Sequence, residues 1–368
     1  MFNKLLIYLK NFDWIMFTAV LLLICFGLAE IYSVALGRSQ LDLLNFKKQI
    51  IFIILGVILL FLFAFFDYHS LRSYSKYFFI FGLILLVGVL FFGQTIRGTK
   101  GWYNVFGFNL QPVEFIKFVL ILFLAKYFSS ASPKTEEFKR LFISGSGALL
   151  FIVLVLAQPD FGSAFVLFLS WLSTIILVGF NKKYFFVIGL ILVIVFSGSW
   201  YFVLKDYQKQ RIATFLNPSF NPLSQGYNVS QAIIAVGAGG VIGRGLGFGS
   251  QSQLKFLPEA QTDFIFAVVA EELGFSGVLL ILLFFGIFFY RCLYHIKRIN
   301  NDFGIFFILG AMSLIFIEMF INIGMNLGIL PVVGISLPFL SYGGSGTISS
   351  LMLVGVIESI VIRSKINY

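Results

Sequence analysis

The chain has 368 residues, 59% of them hydrophobic and only 11% charged, with a mean hydropathy of +0.98. A soluble domain carries about 25% charged residues, so lipid is the solvent for most of this chain. The formal charge of +10 is spread in twos and threes between apolar runs, which excludes nucleic acid as a partner. Cys25 and Cys292 lie far apart and signal neither a disulfide nor a metal-ligand pair.

Lys4 and Lys10 precede a long apolar stretch without a short leader core and cleavage site, so the first span reads as a retained anchor. Runs long enough to cross a bilayer of about 30 Å fall at 14–35, 49–66, 77–93, 113–129, 141–158, 162–181, 184–204, 264–290, 303–323 and 346–362. The expected fold is therefore an all-α bundle of about ten transmembrane helices, with residues 1–368 forming one domain. With the N-terminus inside, the inner segments hold Arg72, Lys76, Lys126, Lys139, Arg140, Lys182, Lys183, Arg291, Lys297, Arg298, Arg363 and Lys365. That asymmetry predicts N-in and C-in orientation, with a large extracytoplasmic loop at about 205–263 between helices 7 and 8.

Four punctuated segments then share the outer face: Gly93–Gln111, Gln158–Ser163, Lys205–Gln261 and Gly324–Gly346. In the first, Gln111-Pro112 should open a helix whose first turn holds Glu114, where the helix dipole favours an acid. Lys117 lies three residues on and can pair with it, either locking the helix or helping to bind substrate. In the second, Asp160 is placed to cap the following helix or to contact a ligand. The third runs through Leu257-Pro-Glu259-Ala-Gln261 into Thr262-Asp263, where Asp263 meets a long apolar helix. Low dielectric there tends to raise a carboxylate pKa toward that of a working general base; capping by Thr262 or Asp263 is the plainer alternative. Glu271 and Glu272 lie deeper in that helix, and at least one must face the bundle interior.

Upstream, Gly237 to Gln251 is dense in glycine, and no soluble βαβ unit surrounds it. Exposed N–H groups with Arg211, Arg244 and Lys255 nearby suit an anionic diphosphate; a ligand-free flexible loop is the alternative. The fourth segment, from Gly328 through Pro331, Pro338 and Ser341 to Gly346, leads irregularly into the last helix. Irregular backbone at membrane depth needs protein cover or a wet cavity, so an outward-opening cavity is implied.

Five ordered motifs resemble the SEDS family of shape, elongation, division and sporulation proteins, typified by RodA and FtsW. They are Gln111-Pro-Val-Glu114, Gln158-Pro-Asp-Phe-Gly162, Gly226-Tyr-Asn228, Leu257-Pro-Glu259 with Thr262-Asp263-Phe-Ile-Phe-Ala267, and Leu330-Pro-Val-Val-Gly334 with Pro338-Phe-Leu-Ser-Tyr-Gly-Gly344. The stretch Gly249–Glu259 is more similar to the elongation branch than to the division branch.

The resemblance implies a multi-pass protein of the bacterial cytoplasmic membrane. It implies a peptidoglycan glycosyltransferase that polymerises lipid II, the undecaprenyl-diphosphate-linked disaccharide pentapeptide, at the outer membrane face during cell elongation. A division-type polymerase and a lipid II flippase are the rival readings. Asp263 matches the family's essential aspartate, and Glu114, Lys117, Lys100, Trp102, Asp160, Arg211, Arg244, Glu259, Thr262 and Ser341 are the expected substrate-binding set. Two departures stand out: the family usually has His where Gln261 stands and Arg where Gly101 stands, with Lys100 a candidate replacement for the missing charge. A divalent cation, Mg or Mn, is an alternative to Arg211 and Arg244 for stabilising a departing diphosphate, although no metal motif is present. The implied partners are a class B penicillin-binding protein, other membrane proteins of the elongation complex, and undecaprenyl lipids.

Overall fold

The computed structural model describes residues 2–37, 43–96, 98–105, 107–131, 136–202, 209 and 225–366. Among these, thirteen helices occur. A short α1 (Phe2–Asn11) precedes α2 (Trp14–Leu36), α3 (Leu44–Phe65) and α4 (Tyr68–Phe92). Then come α5 (Pro112–Ser130), α6 (Glu137–Leu156), α7 (Phe161–Val178) and α8 (Lys182–Phe202). After α9 (Gln225–Gly239) and the single turn α10 (Ser250–Gln253), the chain closes with α11 (Ile265–Ile296), α12 (Asp302–Asn326) and α13 (Gly344–Ile366).

Each of the ten predicted spans carries a helix, and among the described residues eight helices are long and apolar enough to cross a membrane: α2, α3, α4, α6, α7, α11, α12 and α13. The chain is a multi-pass membrane protein. Helix α5 falls outside that set of eight because Glu114, Lys117 and Lys126 sit within its nineteen residues. It lies in the bundle interior instead, with Ile116 to Leu122 buried without a break. Helix α13 is buried along most of its length, and its glycines allow close approach: a Cβ at Gly355 would stand 2.5 Å from the Leu60 carbonyl of α3.

Local chemistry sets the helix starts. Asp13, Asp67 and Asp160 each accept a backbone N–H in the first turn of α2, α4 and α7, and Pro112 opens α5 after an extended Gln111. At the end of the bundle holding Asp13, Arg291 Nε and His295 Nε2 of α11 lie 2.7 and 2.5 Å from Asp13 Oδ2. Burial alone would raise this carboxyl, but the bonds from His295 and Arg291 hold it well below the usual carboxylate range.

Two segments read as loops are built differently. Residues 94–110 form a three-stranded antiparallel sheet of β1 (Gln94–Ile96), β2 (Thr99–Val105) and β3 (Phe108–Leu110), with Thr95 opposite Lys100 and Asn104 opposite Asn109. Gly98 and Gly107, at φ +82° and +81°, stand in the two connections, where left-handed backbone favours glycine. Tyr103 Oη donates to Leu85 O at 3.0 Å and pins the sheet to α4. Within 205–263, α9 packs lengthwise on α11 so closely that a Cβ at Gly239 would collide with the Ala270 carbonyl.

Helix α11 is broken at Gly274, at φ +66° and ψ −164°. The freed backbone groups are recaptured by the glycine-rich segment. Phe275 and Ser276 N–H donate to Gly240 O and Val241 O at 2.9 and 3.0 Å, while Arg244 and Gly245 N–H donate to Glu271 O and Glu272 O at 3.1 and 2.8 Å. Where lipid offers no donors or acceptors, this exchange lets the helix break. Gly274→Ala places a Cβ 2.3 Å from Gly243 N in a conformation essentially reserved for glycine, and should destabilise the protein by about 2 kcal/mol or more. Gly286→Ala, in open space on the same helix, should not lower the thermal midpoint of the purified protein. Equal midpoints for the two variants would contradict the interlock.

Candidate active site

The N-termini of α5, α7, α11 and α13 meet at one end of the bundle, around a cavity of about 540 Å³. Lining residues include Gln111, Asp160, Phe264 and Gly344, which stand at the starts of those four helices. Four helix starts turn their positive dipole ends toward one space, a setting that favours anions.

The wall nearest α11 is fixed by hydrogen bonds to backbone. Asn322 and Asn326 of α12 each donate through Nδ2 to Asp263 O at 3.0 Å, and Asn322 also donates to Ile335 O at 2.7 Å. Ser341 Oγ donates to Thr262 O at 2.7 Å and accepts from Leu337 N at 2.8 Å. Thr262 Oγ1 lies 3.2 Å from Glu259 Oε2, and Glu259 holds the left-handed region at φ +55°, uncommon outside glycine. Gly334 allows close approach on the other side: a Cβ there would be 3.7 Å from Asp263 Oδ2. These contacts position the Asp263 carboxyl on the cavity wall.

Across the cavity, Lys117 is 3% exposed and donates to two carboxylates, Glu114 Oε1 at 2.7 Å and Glu318 Oε1 at 2.6 Å. Glu114 lines the cavity, and a Cβ at Gly346 would stand 3.5 Å from its Oε2. Gln111 N–H donates to Ser345 Oγ at 2.8 Å, joining the start of α5 to that of α13. Asp160 accepts from Ser163 N–H and Oγ at 3.0 and 2.8 Å and from Gln111 Nε2 at 3.4 Å. It caps α7 and also faces the cavity.

Of the residues expected from sequence, Asp263, Glu114, Lys117, Trp102, Asp160, Glu259 and Thr262 come together on the lining. Ser341 stands just behind it as a support for Thr262. Lys100 is turned away, with Nζ 3.4 Å from Phe91 O, and so does not supply a charge to the cavity. Arg244 reaches Ala238 O and Ser250 Oγ at 3.3 and 2.8 Å, also away from it. The N–H groups expected to hold a diphosphate are taken by the chain's own acids: Gly247 donates to Glu272, and Gln251 and Ser252 donate to Glu271. Arg211 lies outside the described residues. Gln261 ties helices together, accepting from Asn45 Nδ2 at 2.8 Å and donating to Ile31 O at 3.3 Å. At Gly101 a Cβ would come within 3.2 Å of Gln158 Oε1, so the space that a longer residue needs is taken.

Sequence reading passed over Glu318, Asn322, Asn326 and Lys48. The first was detectable, since a lone acid inside an apolar span is rare and needs a partner; the asparagines share its helix at a spacing of four. Lys48 lines the cavity from α3 and donates to Gly107 O at 3.2 Å. Among the described residues, the lining thus sets two cations, Lys48 and Lys117, against four carboxylates. No group of three or more His, Cys, Asp or Glu side chains is arranged to hold a metal among the described residues.

A family model covering FtsW, RodA and SpoVE, described as cell cycle protein, matches residues 13–366. The chain is 38% identical over 361 residues to stage V sporulation protein E of Bacillus subtilis (strain 168), covering 95% of this chain and 96% of that protein. It is 34% identical over 364 residues to peptidoglycan glycosyltransferase MrdB of Escherichia coli (strain K12), covering 96% and 95%. It also superposes, with a TM-score of 0.81 and 26% identity over 96% of this chain and 98% of the other, on a chain from a structure described as the structural coordination of polymerization and crosslinking by a peptidoglycan synthase complex.

Removing Lys117 would leave Glu114 and Glu318 facing each other without their cation. Lys117→Met should cost about 3 to 5 kcal/mol, read as a lower thermal midpoint, and adding Glu318→Gln should restore part of it. An unchanged midpoint in the single variant would show that the three groups are not coupled.

Proposed function

The chain belongs to the FtsW/RodA/SpoVE family of cell cycle proteins, and from that premise we propose that it is a peptidoglycan glycosyltransferase with Asp263 as its general base. Relatives at this level of similarity carry that enzyme name. The observation that carries the assignment of the site is the convergence of four separate polar segments, with Asp263 among them, on one cavity at the helix starts.

The substrate is lipid II. Asp263 takes the proton from the 4-hydroxyl of the GlcNAc unit of one lipid-linked disaccharide as that oxygen attacks the anomeric carbon of the growing strand's terminal MurNAc. The C1–O bond to the diphosphate breaks, and undecaprenyl diphosphate departs with the electron pair. A donor of α configuration giving a β-1,4 link means inversion, so a single base suffices and no nucleophilic carboxylate is needed. The four helix starts suit the negative charge that grows on the leaving diphosphate. Phe52, Phe108, Phe161, Val332 and Ile335 give the cavity apolar surface for the adjoining prenyl chain. The cavity also lies at the helix ends instead of at mid-bundle, where transporters bind their cargo, which favours polymerisation over flipping.

Orientation follows from charge. The bundle end opposite the cavity carries Arg72, Lys126, Arg140, Lys182, Lys183, Lys297 and Arg298, which suits the cytoplasm and leaves the cavity outside. The whole chain works as one domain in the cytoplasmic membrane of a bacterium, in elongation, beside a class B penicillin-binding protein that crosslinks the strands. Likeness to a chain of a synthase complex supports such a partner.

Purified protein incubated with lipid II should produce glycan strands. Asp263→Asn, which keeps the side chain's size and leaves the backbone carbonyl held by Asn322 and Asn326, should lower the rate by at least about a hundredfold. Full polymerisation by Asp263→Asn would remove the base, and scrambling of lipid II across vesicles without polymer would favour transport.

A further inference from the structure

Away from the cavity, Glu30 of α2 is 0% exposed, and neither of its carboxyl oxygens has a hydrogen-bond partner. Buried polar groups are otherwise nearly always paired, and an orphan of this kind needs a cause. The group it faces is the Glu272 carboxyl of α11, which Ser33, three residues further along α2 on the same helical face, hydrogen-bonds.

Glu272 is fully occupied on its other sides. It accepts from Ser33 Oγ of α2, from Gly247 N–H at 3.0 Å, from Ser252 Oγ at 2.9 Å and from Gln253 Nε2 at 3.2 Å. Glu271 accepts from Ser250 Oγ at 3.2 Å and from the N–H groups of Gln251 and Ser252 at 2.8 and 3.1 Å. Arg244, in the glycine-rich segment, reaches Ser250 on the Glu271 side and not Glu30. Helix α10 brings only uncharged side chains, and no charged group of α3 enters the surroundings of Glu30. Two carboxyl groups therefore meet inside the bundle with no cation between them among the described residues.

Both groups cannot be ionised there, because two negative charges in contact at low dielectric repel strongly. One proton resolves the conflict: the acid O–H of Glu30 donates to the Glu272 carboxylate, which gives one of the two orphaned oxygens a partner. We propose that Glu30 and Glu272 form a proton-binding site, in which one proton resident on Glu30 bridges the two carboxyl groups and fastens the segment 247–253 to α2. The seam is close-packed around it, since Gln253 Nε2 donates to Ser33 O at 3.0 Å and a Cβ at Gly37 would meet Gln253. The same segment runs on through Leu257 to Glu259 and Asp263, so the bound proton steadies the stretch that leads into the cavity.

The test uses the full chain in lipid nanodiscs, with hydrogen exchange across 247–253 and the infrared carbonyl band of protonated carboxylic acids as readouts. Glu30→Gln supplies an amide N–H in place of the acid O–H, so exchange should stay within about twofold of the native chain while one carboxylic-acid band disappears. Glu30→Ala supplies no donor and should speed exchange by about tenfold. Should Glu30→Ala fail to fold, the native chain against Glu30→Gln decides alone. An unchanged acid band in Glu30→Gln, a Glu30→Gln chain that does not fold, or protection that follows sodium concentration at fixed pH would overturn the proposal.

Discussion

A polar group buried in a lipid-facing bundle has no water to turn to, and that scarcity shapes this molecule from end to end. Lys117 is held by two carboxylates instead of one. The amides released where α11 breaks at Gly274 are taken up at once by Gly240 and Val241. Glu271 and Glu272 bind down a glycine-rich segment that would otherwise expose its N–H groups at membrane depth. Each pairing joins elements distant in sequence, so polar satisfaction and tertiary structure are one problem here. Apolar burial alone could not fix the register of helices in lipid, since lipid tails are as apolar as leucine; the specific polar contacts and glycine approaches do so.

The same constraint explains where chemistry can occur. Helix starts leave N–H groups without intrahelical partners, and four such starts facing one space make a cavity that can receive negative charge while its wall carries acids. Asp263 differs from the structural acids in its placement. Glu271, Glu272 and Glu318 are buried in the bundle, and Asp263 stands on the cavity wall with its backbone carbonyl clamped by Asn322 and Asn326. A fixed backbone and a cavity-facing carboxyl are what a base acting on a sugar hydroxyl requires.

Much of this was legible in the chain itself. Apolar runs located the spans because lipid imposes a length, and Gln111-Pro112, Asp160 and Asp263 marked helix starts because capping and proline chemistry are local. The sheet at 94–110 was missed because its strands are three and seven residues long and its alternation is short. The helix Gln225–Gly239 hid inside a stretch read as loop, since Gly239 serves contact with α11 and looks like flexibility in isolation. Arg244 and Lys100 were drawn toward the site by charge, yet nothing in sequence tells which way a long side chain turns. Glu318 was visible as an acid in an apolar span, but its partner Lys117 lies on another helix, and pairing across 201 residues is a property of the fold.

The central claim is that the carboxylate-lined cavity opens on the side of the membrane away from the cytoplasm, where lipid-linked sugars are polymerised. Asn109 of β3 lines that cavity and is exposed. With Cys25 and Cys292 replaced by serine, Asn109→Cys should react with a membrane-impermeant maleimide added to intact cells. Labelling confined to inverted vesicles would place the cavity in the cytoplasm and contradict the account.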